Sequence, residues 1–368
     1  MKVLIVMHSS NVQYGAAKSL KLLLDNVEWE YDIVYPLNKF GNQLDDATVR
    51  QYSKNARQVI GLYLPFRHGA VLRPVSIQQR IADLLVLVER VRDKRKLERI
   101  IEMNKYDVVI LNSLVLYPLI SKKFNYVIYI REKFIGNRYE KMRVKHHLNN
   151  AYKIIYIDPA IVNLELCNDK SVAVINNPFD MSGISQYDIK KTKQLFPQID
   201  NSKIVISLIG MIHPEKGVDF VIRAMSKVSR DDITLLVVGE YSDESYYDLC
   251  RKLSTDNVIF LGKQTDINPI YLLSDYIIRA DAFFATGRTV YEGLFSGCSV
   301  IIQKDCDEDL FSIDDYSMYK DRVYSYQTRD EYSLVYLLNN LPRNKKERIE
   351  AKSNLREYIS KINGFLTR

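Results

Sequence analysis

Short runs of apolar residues alternate along this chain with longer segments in which apolar residues recur every three or four positions. The short runs predict strands at Val3–Met7, Asp32–Tyr35, Val108–Leu111, Tyr126–Ile130, Ile154–Ile157, Ile204–Leu208, Thr234–Val238, Val258–Leu261, Tyr276–Ile278 and Val300–Ile302. Because these runs are apolar throughout, they indicate strands that are buried on both faces, as in a parallel sheet covered by helices.

Helical periodicity fills the gaps between these runs. Gly15–Val27, for example, places Ala16, Leu20 and Leu23 on one face at a spacing of 3.6 residues. The other predicted helices are Ile77–Met103, Val218–Lys227, Asp243–Lys252, Val290–Ser296, Asp330–Leu341 and Lys345–Ile362. Strands that alternate with helices in this way predict an α/β fold.

The alternation breaks once, at the turn-rich segment Asn176–Gly183 and the polar stretch Ser185–Asn201, and then restarts. We therefore expect two Rossmann-like domains with parallel sheets that face each other across a cleft. The predicted boundaries are residues 1–178, 179–345 and a closing helix at 346–368. Because ligands bind at the carboxyl ends of such strands, the chemistry is expected in the loops that follow them.

Composition fits an ordinary soluble globular protein, since 47% of the 368 residues are apolar and 26% are charged. No stretch approaches the roughly 18 apolar residues of a membrane-spanning helix, and the first apolar run is too short for a signal peptide. We therefore expect a cytoplasmic protein. The four cysteines form no CxxC pair, so structural disulfides and a zinc site are not expected.

The loop His8–Ala17 follows the first strand and precedes a helix. It lacks the GxGxxG pattern of an ordinary dinucleotide fold. Gly15, followed by two alanines, would still let a ligand approach the helix N-terminus, where free N–H groups favour anions. The alternative is a plain turn.

The loop Gly210–Gly217 places Lys216 at the start of a predicted helix. A lysine there is unfavourable toward the helix dipole unless an anion pairs with it, and a diphosphate would suit. The alternative is a solvated lysine. His213 is interpreted as a loop residue only.

A third loop, Phe283–Gly293, contains a glycine turn that opens a helix near Thr289. Backbone N–H groups of Gly287, Arg288, Thr289 and Val290 could cradle phosphate oxygens. Glu292 is expected in the first helical turn. It either compensates the helix dipole or accepts hydrogen bonds from two vicinal sugar hydroxyls.

In this order, the loops resemble those of glycosyltransferase family 4. The family's Gly-Gly-Ala is here Tyr14-Gly15-Ala16, and its Gly-Arg-x-x-x-x-Lys-Gly is Gly210-Met211 with Lys216-Gly217. The family's signature also has two glutamates separated by seven residues. The second corresponds to Glu292 of this chain, whereas Phe284 stands at the position of the first. Weaker matches are Asn257–Gly262 and Tyr129–Glu132, where Arg131 stands in place of a frequent histidine.

The resemblance implies a GT-B fold and a retaining transfer from a nucleotide diphosphate sugar, with a UDP-sugar as the expected donor. Lys216 would bind the diphosphate, Glu292 the ribose, and residues 287–290 the phosphates through their backbone. Gly15 would allow close approach, Gly210 is a further donor-binding candidate, and the base would lie near Lys263–Asp266 and Gly239–Tyr241. With Met211 in place of the arginine, Arg288 is the candidate second cation.

Charge grows on the distal phosphate as the sugar leaves. A lysine and a helix N-terminus can stabilise that charge without a metal, and we find no acidic cluster beside these loops, so neither a metal nor another cofactor is expected. By resemblance, the leaving phosphate would help to deprotonate the acceptor. His8, Arg131 and Glu132 are the candidates on the acceptor side.

Two basic runs lie in the first half of the chain, at residues 90–99 and 131–145. They could bind anionic lipid headgroups at the inner face of the plasma membrane, which would suit a lipid-linked glycan acceptor. The alternative is a solvated helix face. Nucleic acid is not expected, because the net charge of +7 is spread along the chain and no nucleic-acid motif is present.

The leading hypothesis is thus a hexosyltransferase that builds a surface polysaccharide, a capsule or a lipopolysaccharide. One alternative is a nucleotide-sugar epimerase of the same fold. The other is a non-catalytic partner subunit of a glycosyltransferase, which Met211 and Phe284 favour.

Overall fold

The computed structural model describes residues 1–8, 15–37, 54–65, 87–167, 171–200, 202–281, 287–304, 319–342 and 352–367. These residues form two compact units. The first comprises Met1–Pro178 together with Leu355–Arg368, and the second comprises Phe179–Asn354.

The first unit is built on a parallel sheet of seven strands. In chain order they are β1 (Lys2–Val6), β2 (Glu30–Pro36), β3 (Val59–Leu62), β4 (Val108–Leu111), β5 (Tyr126–Ile130), β6 (Lys153–Tyr156) and β7 (Ser171–Val174). Their order across the sheet is β3-β2-β1-β4-β5-β6-β7. The direction of winding therefore reverses between β1 and β4, and ligands of doubly wound sheets bind at such a reversal.

Among its described residues, the first unit contains the helices α1 (Gly15–Leu24), α2 (Leu87–Asn104) and α3 (Arg138–Leu148). A C-terminal helix, Leu355–Thr367, also packs there, because its buried Tyr358, Ile362 and Leu366 join the core formed by β1 and α1. A hydrogen bond from Trp29 Nε1 to Asn363 Oδ1 (2.8 Å) fixes this helix further. The last helix thus closes the core of the first unit.

The second unit carries a parallel sheet of six strands. They are β8 (Ile204–Ile209), β9 (Ile233–Val238), β10 (Val258–Gly262), β11 (Tyr276–Ile278), β12 (Ser299–Lys304) and β13 (Val323–Gln327). Their order is β10-β9-β8-β11-β12-β13, so the winding reverses between β8 and β11. Strands β8, β9 and β12 are almost entirely buried, as their apolar runs predicted.

Helices cover both faces of this sheet. They are α4 (Ile189–Leu195), α5 (Val218–Met225), α6 (Glu244–Leu253), α7 (Asn268–Leu273), α8 (Arg288–Phe295) and α9 (Glu331–Asn339). Helices α5, α6 and α9 pack on one face, and α7 and α8 on the other. None of the helices in the described part of the chain is long and apolar enough to cross a membrane.

Two predicted helices differ in extent from the structure. The helix predicted at Ile77–Met103 is observed as α2 from Leu87, and residues 66–86 lie outside the described residues. Of the helix predicted at Lys345–Ile362, residues 345–351 lie outside the described residues, and the observed helix spans Leu355–Thr367. The structure also contains strands β3, β7 and β13, which the apolar pattern did not predict.

Candidate functional site

The second unit brings together two of the three predicted loops where its winding reverses. The Gly210–Gly217 loop follows β8, and Arg279 and Asp281 follow the adjacent strand β11. The first residue of α8, Arg288, comes seven positions after Asp281. The site is therefore assembled at the carboxyl edge of neighbouring parallel strands, as predicted from the fold class.

The loop after β8 is fixed by its backbone. The Ile212 N–H donates to the Glu240 carbonyl (2.8 Å), and a short 3-10 turn follows at Pro214–Lys216. His213 Nδ1 accepts from the Glu215 N–H (3.3 Å) and so caps this turn, which agrees with its interpretation as a loop residue. Lys216 therefore lies in the turn immediately before α5 rather than inside the helix.

Gly217 brings the loop against the neighbouring strand end. Its φ of +64° favours glycine, and a Cβ atom there would lie only 2.6 Å from the Ala280 carbonyl oxygen. Any larger residue would force the two segments apart. This close approach places Lys216 beside the segment that carries Asp281.

Lys216, Arg279 and Asp281 form a charged group that we call the basic cluster. Asp281 Oδ2 contacts both Lys216 Nζ (2.5 Å) and Arg279 Nη2 (3.0 Å). The carboxylate is buried, with 8% of its side chain exposed. Burial alone would raise the pKa of Asp281, but the charges of Arg279 and Lys216 outweigh it, so the pKa lies below its ordinary value.

The basic cluster extends to the start of α8. Gly287, the residue before the helix, has a φ of +55°, and a Cβ atom there would lie 1.2 Å from Arg279 Nη1. The guanidinium thus lies directly against the backbone from which the first N–H groups of α8 emerge. Val290, predicted to offer its amide to phosphate, instead donates that N–H to the Gly287 carbonyl (3.3 Å).

Glu292 lies in the second turn of α8, not in the first as predicted, because the helix begins at Arg288. Its Oε1 accepts from Arg288 Nε (2.6 Å), and its Oε2 accepts from the Tyr271 hydroxyl (2.7 Å). Burial raises the pKa of Tyr271 well above its usual value, and the charge of Glu292 raises it further. Each carboxylate oxygen keeps a second lone pair that could accept a sugar hydroxyl.

Arg288, the predicted substitute for the missing arginine, makes contacts with Glu292 and Phe179. Its Nε contacts Glu292, and its guanidinium carbon lies 4.9 Å from the centre of the Phe179 ring. Arg279 is the arginine that the structure places beside Lys216. The sequence contains a pattern that could have identified Arg279 as a site residue, because an arginine and an aspartate two residues apart directly follow a buried strand.

The loops after β9 and β10, where the base was predicted, lie at the same edge of the sheet. Gly239 packs so closely that a Cβ atom would lie 1.8 Å from the Gly210 carbonyl oxygen. Lys263 and Glu240 form an ion pair (2.8 Å) that joins the two loops. Tyr241 stacks on Tyr247 with ring centres 4.3 Å apart and leaves 46% of its surface exposed. This edge therefore offers an aromatic surface and polar groups.

The candidates for the acceptor side lie at the carboxyl ends of two strands of the first sheet, β1 and β5, which are separated by β4. His8 follows β1, and Arg131 and Glu132 follow β5. Arg131 is buried and donates from Nε to Asn112 Oδ1 (3.0 Å) and from Nη1 to Asn177 Oδ1 (2.6 Å). Arg131 is therefore held by contacts within this unit.

Glu132 is likewise engaged at this edge. Its Oε1 accepts from the Ser113 hydroxyl (2.7 Å), and its Oε2 accepts from the Leu114 N–H (3.3 Å) at the start of a 3-10 turn. Gly15 is the first residue of α1. The rest of the predicted anion loop, residues 9–14, and Phe284 with residues 282–286 lie outside the described residues.

The described residues hold no group of three or more His, Cys, Asp and Glu side chains that could bind a metal ion. The expectation of a metal-free site remains a prediction. The side chains of Cys167, Cys250 and Cys298 are buried.

Comparison with known proteins adds a family match to this geometry. Residues 203–310 match the family model described as Glycosyl transferases group 1. This segment contains the whole basic cluster and Glu292. No curated protein sequence matches the chain.

Several solved structures resemble the chain along its length. Anabaena Alr3699/HepE in complex with UDP is 16% identical with a TM-score of 0.72, and the comparison covers 100% of both chains. Sucrose-phosphate synthase from Thermosynechococcus elongatus is 12% identical (TM-score 0.69), over 100% of this chain and 97% of the other. The lipopolysaccharide outer core galactosyltransferase WaaB is 14% identical (TM-score 0.63), over 100% and 99%.

At sequence identities this low, the structural similarity establishes the fold but not the reaction, the donor or the acceptor. Together with the two parallel α/β sheets, it confirms the predicted GT-B fold class. The predicted glycosyltransferase character is supported by the family match over residues 203–310.

Proposed function

We propose that this protein is a retaining glycosyltransferase that moves a hexose from a nucleoside diphosphate sugar, with a UDP-sugar as donor, to a glycan or lipid-linked acceptor. The observation that carries the proposal is the position of Lys216. It lies where the winding of the second sheet reverses, beside Arg279 and the start of α8.

Further support comes from what similar structures contain. Anabaena Alr3699/HepE has been solved with UDP and with UDP-glucose, and WaaB acts in the lipopolysaccharide outer core. The family match falls on the unit that would hold the donor. A surface polysaccharide or a lipopolysaccharide is therefore the product class that we propose.

In the proposed reaction, the bond between the anomeric carbon and the distal phosphate oxygen breaks, and the same carbon bonds to an acceptor hydroxyl oxygen. The acceptor's proton passes to the departing phosphate. Negative charge accumulates on that phosphate, and Lys216 together with the N-terminal amides of α8 would stabilise it. Glu292 would orient the ribose through its remaining lone pairs.

The direct test is a panel of UDP-, GDP- and ADP-sugars, screened by thermal shift of the full chain and followed by assays with and without acceptor glycans. A donor that stabilises the protein and releases its nucleoside diphosphate only when acceptor is present supports transfer. A sugar that changes configuration without acceptor would instead show an epimerase. Donor binding without turnover would favour the non-catalytic partner subunit, for which Met211 is the supporting feature.

We also propose that the first unit contacts an anionic membrane surface through α2. The exposed side of this helix carries Val88 (78% exposed) and Val91 (51%), followed by Arg92 and Arg95 one turn on. Apolar residues beside a basic stripe are typical of helices that lie in the lipid interface.

Sedimentation with vesicles tests this contact. Binding to phosphatidylglycerol vesicles and not to phosphatidylcholine vesicles is expected, and an R92Q/R95Q variant should lose most of it. R251Q removes a positive charge from the other unit and should bind like the wild type. Equal binding of all three proteins, or none, would contradict the proposal.

A further inference from the structure

We propose that Arg279 binds the diphosphate of the donor together with Lys216, as the second cation of the site. The inference rests on the proposed use of a nucleoside diphosphate sugar and adds a residue that the sequence pattern did not identify. Arg279 follows β11, 63 positions along the chain from Lys216, and the fold brings the two together at Asp281.

The first argument is the charge of the basic cluster. Lys216 and Arg279 share a single carboxylate oxygen of Asp281, so the three side chains carry a net positive charge. This charge adjoins the N-terminus of α8, which is itself the positive end of a helix dipole. Two cations beside a positive helix end are unfavourable for the fold and favourable for binding an anion with several oxygens.

The second argument is the geometry of the guanidinium. Nη2 pairs with Asp281, whereas Nη1 is buried and has no hydrogen-bond partner among the described residues. Leaving a charged donor buried without an acceptor is costly. Nη1 lies against Gly287, where a Cβ atom would come within 1.2 Å of it. A phosphate held at the first amides of α8 would therefore be next to Nη1.

The third argument is that the local fold is anchored without the guanidinium. The Arg279 N–H donates to the Ile301 carbonyl (2.9 Å), and the Tyr326 hydroxyl donates to the Arg279 carbonyl (3.4 Å). Gln303 Nε2 donates to the Asp281 carbonyl (2.5 Å). These bonds hold the backbone of residues 279–281, and Lys216 also pairs with Asp281. The Arg279 guanidinium could therefore turn part of its hydrogen bonding to a ligand while the carboxylate keeps a second cation.

Arginine suits this purpose, because its planar group can donate two parallel hydrogen bonds to phosphate oxygens. Phosphate would compete with Asp281 for Nη2 and would give Nη1 an acceptor. Met211, at the other position where a cation could be expected, carries no charge.

The experiment measures binding of UDP, UMP and inorganic pyrophosphate to the full chain by calorimetry, with GDP and ADP in parallel to cover the choice of base. R279Q removes the positive charge. R279K keeps the charge but lacks the planar guanidinium group, and R251Q is the matched control. Arg251 lies in the last turn of α6 and contacts Phe260, so it belongs neither to the basic cluster nor to α8.

For R279Q we expect affinities for UDP and pyrophosphate to fall by about 10- to 100-fold, the scale of a lost charge-assisted contact, while UMP binding changes by less than about 3-fold. R279K should recover part of the loss, and R251Q should match the wild type. Because R279Q could also fold less well, R279K and the melting temperatures of all variants separate binding from stability.

Two results would overturn the inference alone, and a third would remove its premise. Wild-type binding of pyrophosphate and UDP by R279Q would exclude contact with phosphate. An equal loss for UDP and UMP would indicate a structural role. If the wild type binds UDP and R279Q binds it equally well, only this inference fails. If the wild type binds no nucleoside diphosphate and no pyrophosphate, the proposed function fails first and takes this inference with it.

Discussion

Replacing Gly287 with alanine tests how tightly the basic cluster and the start of α8 are joined. Two effects are expected. The φ of +55° with a ψ of +148° is a conformation used almost only by glycine and costs another residue about 1–3 kcal/mol, and the added methyl group would lie 1.2 Å from Arg279 Nη1. The guanidinium must therefore move away from the helix start.

Gly262 provides a matched control for the first effect. Its φ is +64°, and nothing lies within 4 Å of a Cβ atom built there. G262A thus carries the backbone cost without a collision. Since Gly262 adjoins the predicted base region, pyrophosphate, which has no base, is the appropriate ligand.

Both variants should lose stability in urea unfolding by about 1–3 kcal/mol, which corresponds to a melting temperature lower by several degrees for a unit of this size. Only G287A should also lose pyrophosphate affinity, by about 10-fold, because only there is the arginine displaced. If G287A binds pyrophosphate as the wild type does, or if G262A loses as much affinity as G287A, the reasoning is wrong.

Three further predictions concern the same unit. K216A and E292A should each weaken nucleotide-sugar binding or turnover by about 10- to 1000-fold, and wild-type kinetics in both would contradict the site assignment. Activity should survive EDTA; a loss that added metal restores would refute the metal-free mechanism. The lowered pKa of Asp281 makes its carboxylate stabilising above the unfolded pKa of about 3.9, and this contribution is lost as the pH falls through the folded pKa. D281N should therefore be less stable than the wild type in urea unfolding at pH 7, and the difference should shrink below about pH 4; a constant difference would exclude the ion pairing as its source.

The central strands could be predicted because they are buried on both faces and thus apolar at every position, as in β5. The missed strands β7 and β13 lie at sheet edges and are half exposed, so polar residues interrupt them. Helix α3 was also missed, because only Val144 and Leu148 on it are buried.

Only those candidate site residues that belong to local sequence motifs could be proposed from the sequence. Lys216 and Glu292 belong to short local motifs, which a sequence displays directly. The partnership of Lys216 with Asp281 spans 65 positions and depends on β8 lying beside β11. The contacts of Arg288 with Glu292 and Phe179 depend on the packing of α8, and the position of Arg279 beside Asp281 depends on the end of β11, so the sequence alone showed neither.

The most direct measurement is a crystal structure of the full chain with UDP bound. The account predicts that the diphosphate lies within hydrogen-bond distance of Lys216 Nζ and of the first backbone amides of α8, with the ribose hydroxyls near Glu292. A diphosphate bound away from Lys216 and α8 would contradict it.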